Sequence, residues 1–160
     1  MDTDNFSKCL LELYDAAINP GRWRRALDAV TSAVDGEATA ILVKKPSGWS
    51  RDLQLLSSSY LDFTKTPAGI YYAMRYSRLQ NPDWDYLSKC DLHAPTWDIE
   101  AGYSTDELDR RGDYRYLRNR LGVGRRLGVR LNPDRVWFDT ISVGFEAADN
   151  LPSNDRVGAL

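Results

Sequence analysis

The stretch "VGRRLGVRLNPDRVWFDTISVGF", residues 123–145, limits the fold more than any other part of the chain. Val123, Leu127, Val129 and Leu131 recur at even spacing, with Arg126, Gly128 and Arg130 between them. That is the period of a strand with one face buried. "LNPDR", 131–135, has the composition of a turn, and 136–145 reads as the answering strand. So short a connection joins only antiparallel neighbours, since a parallel crossover takes about a dozen residues or more. "EATAILVKK", 37–45, then "PSGW" and "DLQLLSSS" repeat the situation, so 37–58 reads as a second antiparallel pair.

Helical spacing fills much of the remainder. Phe6, Leu10, Leu13 or Tyr14, Ala17 and Ile18 predict an amphipathic helix over 4–18. "NPGRW" breaks it, with Asn19 placed to cap and Pro20 in a first turn where its missing N–H costs nothing. Trp23, Leu27, Val30 and Val34 give a second stripe over 21–34. Residues 67–80 predict a third helix, stopped by Asn81-Pro82. In it Tyr72, Tyr76 and Leu79 share one face, and Arg75 and Arg78 the other. Rings and arginines on opposite sides argue against a base-stacking surface. Ser104 with Glu107 forms a capping box for a helix over 105–121, and Gly122 is placed to end it in the left-handed conformation. A loop-rich middle, 85–104, has room for one short strand.

The order is then α-α-β-β-α-(β)-α-β-β. Helices interspersed with hairpins make an α+β domain, an antiparallel sheet with helices packed on it and two helices at the front. A chain of 160 residues that is 42% hydrophobic and 28% charged suffices for one domain, expected over 1–160. The tail after 145 loses periodicity and reads as the first turn of a helix that is cut short.

Chemistry is sparse. There is one histidine, His93, in "CDLHAP", and no GxSxG, Walker loop or HExxH. Cys90 and His93 lack the partners that zinc or a nucleophilic pair needs, so catalytic and metal roles are not expected. Two cysteines, Cys9 and Cys90, make no disulfide framework. With no signal peptide and no run of about 20 apolar residues, the expected location is the cytoplasm. Eight arginines stand between 110 and 130 (110, 111, 115, 118, 120, 125, 126, 130) against one acid, Asp113. They could face phosphates, or pair with acids elsewhere in the chain. A net charge of -2 and the lack of any recognition unit favour pairing.

Three passages together resemble the amino-terminal sensor-like domain of LuxR-type helix-turn-helix transcriptional regulators of proteobacteria. They are "LLELYDAAINPGRWRRALDAV", "YYAMRYSRLQNPDW" and "DELDRRGDYRYLRNRLGVGRRLGVRL", followed by the strand in "VWFDTISVGFEAADN". The resemblance implies a GAF/PAS-like sheet that receives a small molecule on one face, a homodimer, and DNA contact by a separate helix-turn-helix, for which 146–160 holds no candidate. It implies no enzyme. The spacing of Trp49, Trp84, Trp97 and Trp137 does not reproduce the lactone-binding set of the quorum-sensing members, so the ligand, and any cofactor, is left open.

Tyr72, Tyr76, Trp84, Trp97 and Phe138 are the candidate ligand-binding residues, aromatic and near the sheet; each could equally be ordinary core. A sensing domain predicts a cavity on the order of a few hundred Å3 between the sheet and helix 67–80, whereas a purely structural dimerisation module predicts a filled one.

Overall fold

The computed structural model describes residues 3–44, 53–75, 86–133 and 138–146. The hairpin at 123–145 forms the middle of the sheet. β4 (Val123–Arg130) and β5 (Phe138–Glu146) pair antiparallel with Leu127 opposite Val143 and Val129 opposite Ile141. β1 (Ala38–Lys44) lies on the other side of β5, and β2 (Leu53–Leu56) on the outer side of β1. The short strand expected in the middle is β3 (Pro95–Trp97), paired with β4. The result is a five-stranded antiparallel sheet of order β2-β1-β5-β4-β3. A bulge between Val123 and Arg125 inserts one residue, so Val123 shares the face of Arg126 and Gly128.

Two helices cover one face. α1 (Thr3–Ile18) and α2 (Trp23–Ala33), joined by a short 3-10 turn that Asn19 caps, pack Cys9, Val30 and Val34 onto Trp97, Leu127, Val143 and Phe145. Of the stripe expected on α1, Leu13 packs against this core, whereas Phe6, Leu10, Ala17 and Ile18 are exposed. Cys9, Glu12 and Ala16 are the buried residues of the helix, and Tyr14 also faces outward. Small side chains let α1 approach α2, and Glu12 is held by Arg25 at 2.6 Å. Those contacts outweigh the larger apolar side chains.

The opposite face carries α3 (Ser58–Thr64), α4 (Pro67–Arg75) and α6 (Gly112–Leu121). α3 was not expected; the second strand ends at Leu56 and a helix begins. Its N-terminus is held by a residue of α2, since Asp28 accepts from the Ser58 N–H and the Ser58 hydroxyl, both at 2.6 Å. The single helix expected over 105–121 is two. α5 (Thr105–Arg110) starts at the expected capping box, where Ser104 Oγ accepts from Glu107 N at 3.3 Å and Glu107 Oε2 from Ser104 N at 2.8 Å. Arg111 is extended (φ -63°, ψ 133°), and Gly112, a poor helix former, follows. Gly122 ends α6 in the left-handed region at φ 74°. No helix among the described residues is long and apolar enough to cross a membrane.

Candidate functional site

Alternation along the strands gives the two faces of the sheet different residues. On the α1–α2 side stand Leu127, Val143, Phe145 and Trp97. Their neighbours on the other side are Ala38 and Ala40 of β1, Gly128 of β4, Ser142 and Gly144 of β5, and Thr96 of β3. Small side chains set this second surface back from the helices above it.

At one end the gap is filled. Phe63 of α3 and Tyr72 of α4 meet edge to face (5.9 Å between centroids, 65°), and Tyr72 stacks on Tyr116 of α6 (6.0 Å, 24°). Beneath them lie Ala38, Leu117 and Val123. At the other end a cavity of about 50 Å3 remains, under Tyr86, Leu87 and Tyr114 and above Leu42, Thr96, Gly128 and Ser142. It lies away from the described part of helix 67–80, and it is smaller than the sensing reading predicts.

The polar side of this cavity is a single network. Asp98 follows Trp97 in the chain, so its side chain leaves the β3 edge on the opposite side from that ring. Asp98 Oδ2 accepts from the Tyr114 hydroxyl and from the Arg126 N–H, each at 2.8 Å. Asp98 Oδ1 is buried and has no hydrogen-bond partner among the described residues. Arg126 lies over the Tyr114 ring, 4.3 Å from its centroid, and its Nε donates to the Tyr114 hydroxyl at 3.2 Å. Arg111 packs against the same ring at 4.9 Å and grips Asp113 with Nε and Nη2, at 3.1 and 2.8 Å. Burial pushes the Asp98 carboxyl above the ordinary aspartate value; the bonds from Tyr114 and Arg126 and the charges of Arg126 and Arg125 oppose it without cancelling it. Burial also opposes ionisation of Asp109, but the bonds from Arg118 and Arg125 outweigh it and hold that carboxyl low.

Half of the arginine cluster is paired with acids. Arg111 and Arg126 face Asp113, Arg118 and Arg125 share Asp109, and Arg130 donates to the carbonyls of Asn132 and Ser88. Arg110, Arg115 and Arg120 are exposed. His93 is exposed, at φ 63°, with Nε2 3.1 Å from the Leu131 carbonyl. Among the described residues, no three His, Cys, Asp or Glu side chains are grouped to hold a metal. A second, shallower concavity of about 280 Å3 lies between α1 and α2, crossed by the Arg25–Glu12 ion pair.

Of the residues proposed from sequence, Tyr72 sits in the aromatic cluster at the other end of the gap from the cavity. Trp97 lies on the opposite face against Phe145, 5.2 Å between centroids. Phe138 begins β5, paired with Lys44. Tyr76 and Trp84 fall outside the described residues. The structure thus brings neither Tyr72 nor Trp97 to the cavity wall. Asp98, Tyr114 and Arg126, which do meet there, were missed. Their one signal was an acid directly after an aromatic residue at a strand edge.

No protein-family model and no curated protein matches the chain. Solved structures do. The LBD domain of VqsR from Pseudomonas aeruginosa aligns with a TM-score of 0.65 at 17% identity, over 95% of this chain and 85% of that one. SdiA in complex with octanoyl-rac-glycerol aligns at 0.54 and 12% identity, over 98% of this chain and 61% of that one. A second structure, of Escherichia coli SdiA, gives 0.50 and 10%, over 87% and 55%. These neighbours are ligand-binding domains of LuxR-type regulators, and what this chain shares with them is the fold.

Proposed function

We propose that this chain is the sensing domain of a bacterial transcriptional regulator of the LuxR type, which holds a small organic molecule against the small-residue face of its sheet. The observation that carries the reading is the convergence of Asp98, Tyr114 and Arg126 beside Leu42 and Leu87 at that face, in a recess smaller than expected and displaced from helix 67–80. A few fixed polar groups in an otherwise apolar recess are what orient a small ligand. The fold shared with VqsR and with SdiA, one structure of which holds octanoyl-rac-glycerol, supports the same reading. At about 50 Å3 the cavity accepts a polar head group; an attached chain enters only as side chains such as Leu87 move aside. The domain so read spans 1–160, acts in the cytoplasm and is no enzyme, and a helix-turn-helix outside it contacts DNA.

Mass spectrometry of gently released protein tests this. One small molecule per chain, or stabilisation of the protein by octanoyl-rac-glycerol, is expected. An empty protein that no such compound stabilises would contradict it.

Homodimerisation, with or without a ligand, is the second reading, and a specific surface favours it. Phe6, Leu10, Tyr14 and Ile18 stand on successive turns of α1, exposed by 38, 38, 70 and 86%. A continuous apolar stripe of this kind is costly to leave in water, and a second copy of the same stripe covers it by two-fold symmetry. Light scattering should report a dimer that Leu10→Asp with Tyr14→Asp turns into a monomer; a wild-type monomer rules this reading out.

A further inference from the structure

We propose that α3 and α4 open and close as one lid over the small-residue face of the sheet, turning at Ser57 and latched by Asp28 of α2. The lid stands on the packing of these helices alone; that it admits a ligand rests on the sensing reading.

The two helices form one body. A Cβ added to Gly69 would lie 2.1 Å from the Phe63 carbonyl oxygen, so the backbone of α4 rests directly on the end of α3. Thr66 joins them, since its hydroxyl donates to that same carbonyl at 2.7 Å and accepts from the Gly69 N–H at 3.0 Å. Phe63 and Tyr72 close the angle between them edge to face. At seven and nine residues, neither helix is long enough to persist alone in water. They are ordered together.

Their attachment to the rest of the molecule is shallow along the helices and polar at one end. Phe63 is the one buried residue of α3 and Gly69 the one buried residue of α4, while Ile70, Tyr71 and Met74 are exposed by 54, 51 and 64%. Elements that bury so little apolar surface are the ones that open below the global unfolding energy. At the start of α3, Ser57 is fixed to β1. It gives its N–H to the Thr39 carbonyl at 2.9 Å and takes the Thr39 N–H on its hydroxyl at 3.0 Å. Ser58 then meets Asp28, whose two carboxylate oxygens accept from its N–H and its hydroxyl, both at 2.6 Å. Bonds to an ionised acceptor of this kind are the strong ones. Ser57 is the pivot, and a carboxylate on one face of the sheet holds the lid down on the other.

Lifting this body takes Phe63 and Tyr72 off Ala38, Leu117 and Val123. It joins the recess of about 50 Å3 at Leu42 to the space above Ala38 and Ala40, which lie on the same side of β1. The small recess and the filled end of the gap are the closed state of one larger cavity.

Amide exchange followed by NMR tests the lid. Leu61 and Ile70, bonded to the Ser57 and Thr66 carbonyls, report on α3 and α4; Leu127 and Val143 report on the central hairpin. Corrected for intrinsic rates, Leu61 and Ile70 should exchange alike and faster than Leu127 and Val143. Asp28→Ala should speed both by at least about tenfold, the worth of a hydrogen bond to a charged group, and leave the hairpin unchanged. Ser58→Ala, which keeps the backbone bond, should act in the same direction but less, and carries the test where Asp28→Ala does not fold. Equal protection of all four amides in the wild type overturns the lid. So does acceleration of Leu61 without Ile70, or an equal acceleration of the hairpin. Octanoyl-rac-glycerol should slow Leu61 and Ile70. A lid that opens as expected but is indifferent to the ester contradicts the sensing reading and leaves the lid standing.

Discussion

The same five strands present two unlike faces. Toward α1 and α2, Leu127, Val143, Phe145 and Trp97 close on Cys9, Val30 and Val34. Toward α6, Ala38, Ala40, Thr96, Gly128, Ser142 and Gly144 stand beside the larger Leu42, Val123 and Arg126, and a buried carboxylate adjoins the space the small residues leave. The alternation of a strand lets one face close on a packed core while the other, on the proposed reading, receives a ligand, without either set of side chains touching the other. If that division holds, substitutions on the two faces should differ in kind as well as in size.

The largest expected effect is on the closed face. Leu127→Ala should cost about 2–5 kcal/mol, as for a fully buried leucine in a packed core. Leu42→Ala, beside a space already empty, should cost less than half as much in urea denaturation. Equal costs would break the distinction. Next comes pH. Because burial raises the Asp98 pKa, its contribution to stability is fully present below the unfolded aspartate value and is lost as pH rises through the folded one. The wild type should therefore lose stability relative to Asp98→Asn over that rise. Asp109, held low by Arg118 and Arg125, should show the opposite sign: its contribution is present above the unfolded value and is lost as pH falls through the folded one. Denaturation of the two variants across pH reads both slopes. Smaller again is Ser104→Ala, which removes the capping box of α5 and should cost about 1 kcal/mol. The smallest change in stability is expected from Ser142→Val. It fills the recess and should stay within about 1 kcal/mol of the wild type while abolishing binding of octanoyl-rac-glycerol.

Where a feature is local, the chain announces it. The turn at 131–135 predicted the central hairpin, Gly122 the left-handed end of α6, and Ser104 with Glu107 the start of α5. Features made by distant partners were silent. Ser57 stands at the N-cap of α3, but its hydroxyl accepts from the Thr39 N–H, and Asp28 from another helix holds the first turn instead. On α1 the larger apolar residues suggested a core face, but close approach to α2 selected Cys9 and Ala16. The site was hidden for the same reason. Asp98 and Arg126 meet because β3 pairs with β4, and Tyr114 reaches them from α6. Trp97 drew attention as an aromatic residue, yet the period of the strand turns it to the closed face and its neighbour Asp98 to the open one.

Methyl NMR during titration with octanoyl-rac-glycerol tests the division most directly, since the two faces carry separate reporters. Leu42 and Leu87 line the cavity, and Val30, Val34, Leu127 and Val143 lie across the sheet. Saturable shifts at Leu42 and Leu87, with the other four unmoved, are the expected result. Shifts centred on Leu127 and Val143, or none on either face, would contradict it.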